Sequence, residues 1–181
     1  ATGSGKTLAY LLPTMQRLRL EERAFPELLH SRVCSPRALI LAPTKDLAAQ
    51  IGAAAKAISH SYRLRVRTVE GSALIKKDRR SLEGGADLLV ATPARLLRLH
   101  KLKEIRLRDV STVVVDEADD MLTRGFVEQL DEVLRLCPPR ACAMMKGGGG
   151  GSGASPLSPQ LIFVSATLGA DVRHLIRKKY D

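Results

Sequence analysis

Two short stretches of this chain hold residues that can do phosphate chemistry. In the first, Asp116 and Glu117 end the run Ser111-Thr112-Val113-Val114-Val115. Two adjacent carboxylates at the end of an apolar run suit a division of labour in which one holds a Mg²⁺ ion and the other orients or deprotonates a water. The same pair also fits a plain acidic helix start, where Asp and Glu favour the macrodipole. The second stretch, Thr2-Gly3-Ser4-Gly5-Lys6-Thr7, is the latter half of a phosphate-binding loop. Its small residues let backbone N–H groups close round phosphates, Lys6 reaches the β- and γ-phosphates, and the Thr7 hydroxyl ligates Mg²⁺. The full pattern, and the strand expected to lead into the loop, would lie upstream of Ala1.

Elements of defined kinds must position these groups. Val113, Val114 and Val115 form a continuous apolar run, the mark of a strand covered on both faces in a parallel sheet. Ligands of such sheets sit beyond the carboxyl ends of the strands, where Asp116 and Glu117 fall. Similar runs are Ala38–Ala42, Asp87–Ala91 and Leu161–Thr167, while Arg63–Val69 alternates as a strand with one wet face does. Helices are predicted between them. The first opens at Gly5-Lys6-Thr7, keeps Leu8, Leu11, Leu12, Met15 and Leu18 at helical spacing, is kinked by Pro13 and gives way to a charged connection at Glu21–Pro36. A second runs from Pro43-Thr44 to about Ser59 with Thr44 as cap and Leu47, Ile51, Ala54, Ala55 and Ile58 inward. Ser72–Leu82 reads as a basic helix with a solvated face, and Thr92-Pro93 starts another with a capping hydroxyl before a first-turn proline. Val127, Leu130, Val133 and Leu134 mark a further helix after a short one beyond Asp119, and Val172, Leu175 and Ile176 the inner face of the last. From about Arg140 to Pro159, five consecutive glycines with Ser and Pro cannot build a core and are expected to be disordered, an insertion within one domain.

Along the chain, Thr-Gly-Ser-Gly-Lys-Thr, Pro43-Thr44-Lys45-Asp46-Leu47-Ala48-Ala49-Gln50, Thr92-Pro93-Ala94-Arg95, Asp116-Glu117-Ala118-Asp119 and Ser165-Ala166-Thr167 resemble the DEAD-box RNA helicases. The likeness covers the chain apart from the stretch near Pro138–Pro159. It implies an α/β fold: a RecA-like P-loop domain, residues 1–181 being a partial one that lacks the strand before the P-loop. It also implies ATP and Mg²⁺ as cofactors. Thr2, Gly3, Ser4, Gly5, Lys6 and Thr7 would bind the ATP phosphates, Thr7 and Asp116 the metal, and Lys6 and Glu117 would be catalytic. Asp119, Ser165 and Thr167 would couple nucleotide state to the rest of the machine, and Pro43, Thr44, Lys45, Gly71, Thr92 and Arg95 would contact RNA backbone. The partners it implies are RNA and a second RecA-like domain of the same full-length chain, which acts as a monomer. That domain supplies arginine fingers worth roughly 10³ to 10⁵ in rate, so the 181 residues alone should be nearly inactive. Departures from the family pattern gather on the RNA side. Lys45-Asp46 stands for Arg-Glu, with loss of the bidentate fork; Ser72 stands for one of a glycine pair; Ala94 stands for a glycine, which is comfortable only in a helical turn.

Bulk composition agrees with a nucleic-acid enzyme. Twenty-nine basic residues against 19 acidic ones give a formal net charge of +10, which calls for a polyanionic partner. Aromatic content of 3% with no Trp argues against stacking bases on aromatic platforms, so the backbone is the expected handle. No apolar run approaches the ~18 residues of a membrane span, so no membrane partner is expected. Three cysteines, Cys34, Cys137 and Cys142, form no pair set and suggest free thiols in a reducing, intracellular compartment. The four histidines are scattered and make no metal cluster with the cysteines. Two other readings stay open: a DNA-acting P-loop translocase, separable by RNA against DNA stimulation, and a non-catalytic RNA-binding assembly factor, against which Lys6, Asp116 and Glu117 speak.

Overall fold

In a computed structural model of the chain, residues 5–24, 34–69, 75–123, 125–137, 158–167 and 169–180 are described. Their order is α1 (Lys6–Ala24), β1 (Ala38–Leu41), α2 (Lys45–Tyr62), β2 (Val66–Val69), α3 (Ile75–Leu82), β3 (Leu88–Ala91), α4 (Pro93–Lys101), β4 (Thr112–Val115), α5 (Ala118–Thr123), α6 (Val127–Arg135), β5 (Gln160–Phe163) and α7 (Ala170–Tyr180). The strands form one sheet in the order β2-β3-β1-β4-β5, and every pairing is parallel. The α/β class and parallel sheet expected from the apolar runs are therefore present. The expected insertion falls almost wholly on residues 138–157, outside the described ones, as do Thr2, Gly3, Ser4 and Gly71.

Pleating divides the core in two. Ala38, Ile40, Val66, Leu88, Val90 and Val114 face α1 and α2. Leu39, Leu41, Val69, Leu89, Ala91, Val113 and Val115 face the layer that contains α4 to α7. The three inner strands are buried along their whole length, which is why their sequences show no polar alternation. At the edges, Arg67 and Thr68 of β2 are half-buried, and β5 is exposed at Gln160 and half-buried beyond it. Among the described residues β5 pairs only with β4, and no strand precedes α1.

Several elements differ from their sequence expectation. Helix α1 passes through Pro13 and continues to Ala24, one turn into the expected charged connection. The added turn is held by ion pairs: Glu21 with Arg17, and Glu22 with Arg19 and with Arg37 at 2.7 Å. Leu8 and Leu12 are exposed rather than inward, and Tyr10 and Thr14 take the buried positions beside Leu11, Met15 and Leu18. Thr92 occupies the cap position of α4 but its hydroxyl makes no capping bond, whereas Thr44 does cap α2, accepting from the Leu47 amide at 3.2 Å. Ala94 sits in the first turn of α4, the conformation in which it costs nothing.

Beneath the strands lies a charged cluster invisible to periodicity. Arg37 is 4% exposed; it donates to the Leu18 carbonyl and pairs with Glu22 and, at 3.5 Å, with Asp87. Asp87 also accepts from the Arg65 amide and side chain. Burial pushes the Asp87 carboxyl up, but the hydrogen bonds and charge of Arg65, with Arg37 behind it, outweigh that and hold it below its ordinary range. Cys34 and Cys137 are free and buried, and burial raises their thiols to about 11 and about 12.

Candidate phosphate and nucleic-acid site

Strand register sets the site. Leu41 pairs with both Ala91 and Val115, and Val115 with Phe163, so four strands end on one level. Pro43-Thr44, Thr92, Asp116 and Ser165 thus leave the sheet along the same edge. From the adjacent strands β1 and β4 the chain leaves in opposite directions, from β1 towards β2 and from β4 towards β5, which makes the switch point where parallel sheets bind ligands.

A cavity of about 560 Å³ opens there. Gly5, Lys6 and Thr7 line it from the start of α1, Gln50 and Ile51 from α2, and Asp116, Glu117, Asp119 and Asp120 from the segment after β4. Gly5 has φ +73° and leads directly into α1, where Ala9 donates to the Gly5 carbonyl at 3.0 Å. The first turn of α1 therefore points its unpaired N–H groups and positive dipole end at the cavity, with Lys6 beside them, a setting for phosphate.

Asp116 is 6% exposed. Its Oδ2 accepts from the Tyr10 hydroxyl at 2.8 Å and its Oδ1 from the Glu117 amide at 2.9 Å. A carboxylate has about four lone-pair sites, so each oxygen retains one for a metal or a metal-bound water. Among the described residues no group of three or more His, Cys, Asp or Glu could hold a metal by itself. The donors present, one buried carboxylate and one hydroxyl facing a phosphate-sized cavity, fit Mg²⁺, which keeps several waters and shares substrate phosphates. Glu117 is exposed and stands at φ +48°, a left-handed backbone that only glycine adopts without cost. Burial raises its carboxyl above the ordinary range, reinforced by Asp120, Asp116 and Asp119, while Lys6 pulls it down.

Asp119 accepts from the Thr167 hydroxyl at 2.7 Å, and Ser165 and Thr167 hold each other through two short-range bonds. Burial pushes the Asp119 carboxyl up, but the bonds from Thr167 and Ser165 prevail and keep it low. The ends of β4 and β5 are thus tied by side chains as well as by the bond from the Ala118 amide to the Val164 carbonyl at 2.9 Å.

Of the residues expected at RNA, Thr44 and Lys45 are exposed at the start of α2, Pro43 is buried beneath them and Thr92 is half-buried. Arg95, also expected at RNA backbone, is turned inward. It is 7% exposed, and its guanidinium is bound by Asp78 of α3, itself 4% exposed, with Nε donating at 2.6 Å. Helix α3, expected to be a solvated basic face, thus also supplies a buried acid that anchors α4. Sequence reasoning missed Tyr10 as well. Its one available sign was its place three residues after Thr7, on the same helical face.

Comparison with known proteins agrees with this geometry. The family model described as DEAD/DEAH box helicase matches residues 1–175. The DEAD-box ATP-dependent RNA helicase CshA of Streptococcus pneumoniae is 38% identical over 137 residues, 76% of this chain and 24% of that protein. The probable ATP-dependent RNA helicase DDX28 of Homo sapiens is 37% identical over 181 residues, 98% of this chain and 32% of that protein. The chain therefore spans about a quarter to a third of the length of these relatives. A solved structure of the yeast DEAD-box splicing factor Prp28 superposes with a TM-score of 0.75 at 28% identity, covering 99% of this chain and 38% of that one. A DEAD box protein from Methanococcus jannaschii gives 0.71 at 25%, covering 99% and 41%. A family model spanning nearly the whole chain, on a parallel sheet whose site lies at the expected edge, means that the chain belongs to the DEAD/DEAH box helicase family.

Proposed function

We propose that this chain is the ATP-binding half of an ATP-dependent RNA helicase core that binds ATP-Mg and RNA backbone along the same sheet edge and, with a second domain, couples ATP hydrolysis to RNA duplex unwinding or RNP remodelling. One observation carries it: Lys6, Thr7, Asp116 and Glu117 come from two distant parts of the sequence to line one cavity. Phosphoryl transfer asks little of a protein beyond positioning and charge, and these are the groups for it. The α1 N-terminus with Gly5, and with Thr2, Gly3 and Ser4 before it, cradles the phosphates, and the Lys6 ammonium neutralises the β- and γ-oxygens. Thr7 and Asp116 hold Mg²⁺, which when bound draws charge from the transferring phosphoryl oxygens. Glu117 orients the attacking water and accepts its proton.

The Asp119–Thr167–Ser165 link joins the segment after β4, two residues past Glu117, to the end of β5, and this is where nucleotide state is passed to a second RecA-like domain of the full-length chain. On the RNA side Thr44, Lys45 and Thr92, with Pro43 and Gly71 shaping the backbone, receive phosphates. Arg95 acts at one remove, by fixing the start of α4 against α3. The protein works as a monomer, and the 181 residues alone turn over ATP slowly.

The test is ATP turnover by the full-length polypeptide without nucleic acid, with RNA and with DNA, beside Glu117→Gln. RNA-specific stimulation that falls at least ~100-fold in Glu117→Gln is expected. Equal stimulation by DNA would indicate a DNA translocase, and RNA binding without turnover in either protein would overturn the enzymatic reading.

A further inference from the structure

Tyr10 is 4% exposed on the inner face of α1, among Leu11, Met15 and Leu18, which are fully buried. Those neighbours are apolar, and packing alone would be satisfied by a hydrocarbon ring. Tyr10 instead carries a hydroxyl, and that hydroxyl donates to Asp116 Oδ2 at 2.8 Å across 106 positions of sequence. Thr7 lies one turn earlier in the same helix and lines the cavity with Asp116. The other oxygen of Asp116 is fixed by the amide of its neighbour Glu117. Tyr10 therefore ties the second turn of α1 to the acidic strand end.

We infer that Tyr10 is a positioning residue: its hydroxyl pins Asp116 Oδ2 and sets the rotamer of the carboxylate proposed to hold Mg²⁺ together with Thr7. The inference rests on that proposed metal site. Mg²⁺ requires near-ideal octahedral geometry, so a carboxylate free to rotate is a poorer donor than one pinned at both oxygens. Removing outer-shell partners of this kind typically changes metal affinity by about 10- to 100-fold.

Tyr10→Phe keeps the ring and deletes one oxygen. Affinity for a fluorescent ADP analogue would be measured in the full-length polypeptide at a series of Mg²⁺ concentrations and in EDTA, beside Asp116→Asn, with thermal unfolding recorded on the same samples. The expected result is an EDTA affinity and unfolding temperature close to wild type, and a Mg²⁺ concentration for the half-maximal gain in affinity raised about tenfold. A Tyr10→Phe protein with the wild-type Mg²⁺ dependence would overturn the inference and leave the metal site standing. Weakening to the same degree in EDTA and in Mg²⁺ would reduce Tyr10 to a packing residue. Wild-type affinity indifferent to Mg²⁺, with Asp116→Asn unchanged, would overturn the metal site and the inference together.

Discussion

Glu117 shows how one residue can serve the site at the expense of the fold. Its φ of +48° places a non-glycine residue in the left-handed region, at a cost of roughly 1 to 2 kcal/mol. The local bond from its amide to Asp116 Oδ1 holds that conformation, and its carboxylate lines the cavity together with Asp116. Strain of this kind persists where the surroundings over-determine the backbone, and it gathers at functional positions. Comparing two truncations separates side chain from backbone. Glu117→Gly should be more stable than Glu117→Ala by about 1 kcal/mol in urea unfolding, because glycine alone relieves the backbone. Both should lose RNA-stimulated turnover to the level of Glu117→Gln. Equal stability of the two would mean that the left-handed conformation carries no cost here.

At the scale of elements, the strands and most helices were legible because they depend on local pattern: buried strands are apolar throughout, and Thr44 announces α2 by its type and place. What escaped were pairings made by the fold. Nothing near Asp78 or Arg95 in sequence says that they meet, 17 positions apart on α3 and α4, and nothing near Glu22 says that Arg37 will extend α1 by a turn. The site followed the same division, since Lys6, Thr7, Asp116 and Glu117 advertise themselves by type and spacing while Tyr10 looks like one more core residue. These pairings make predictions of their own. Asp78→Ala strands a buried guanidinium and should cost about 3 to 5 kcal/mol, whereas Asp78→Leu with Arg95→Met removes both charges and should cost far less, as a double-mutant cycle in denaturant would show. Helix α2 presses so close to β2 that a Cβ on Gly52 would lie 2.0 Å from Thr68 Oγ1, so Gly52→Ala should destabilise by about 1 to 3 kcal/mol, with much of the loss recovered by adding Thr68→Ala. Asp87, whose carboxyl is held low chiefly by Arg65, contributes stability that is present above its unfolded pKa of about 3.9 and lost as pH falls towards and through its lower folded value. Asp87→Asn should be less stable at neutral pH by about 2 kcal/mol and should lose less on acidification below about pH 4.

The whole molecule carries its charge unevenly in purpose if not in number. Several acids are committed to the site or to pairs: Asp116, Glu117, Asp119 and Asp120 line the cavity, Asp78 and Asp87 are buried in pairs, and Glu22 is bound by Arg37. The formal charge of +10 is the long-range field that a polyanion meets first. Lys45 stands exposed at the start of α2, where a lysine offers a point charge instead of a planar fork, and Arg95 is withdrawn into its pair with Asp78. An RNA grip built this way rests on diffuse charge and helix ends more than on bidentate contacts, so release of counterions should dominate it. For about four neutralised phosphates on a single strand, log affinity falls with log salt at a slope near −3, a loss of about 50-fold between about 50 and 200 mM. Fluorescence anisotropy with a labelled single-stranded RNA, read across that range in the presence of a non-hydrolysable ATP analogue, measures the slope directly. A slope near zero would mean that RNA is held by uncharged contacts, and the basic surface would then need another polyanion to explain it. With the expected slope, Lys45→Ala should flatten it by about 0.7 while Arg95→Met, paired with Asp78→Leu to keep the fold, leaves it unchanged, since only the first removes a charge proposed to meet a phosphate.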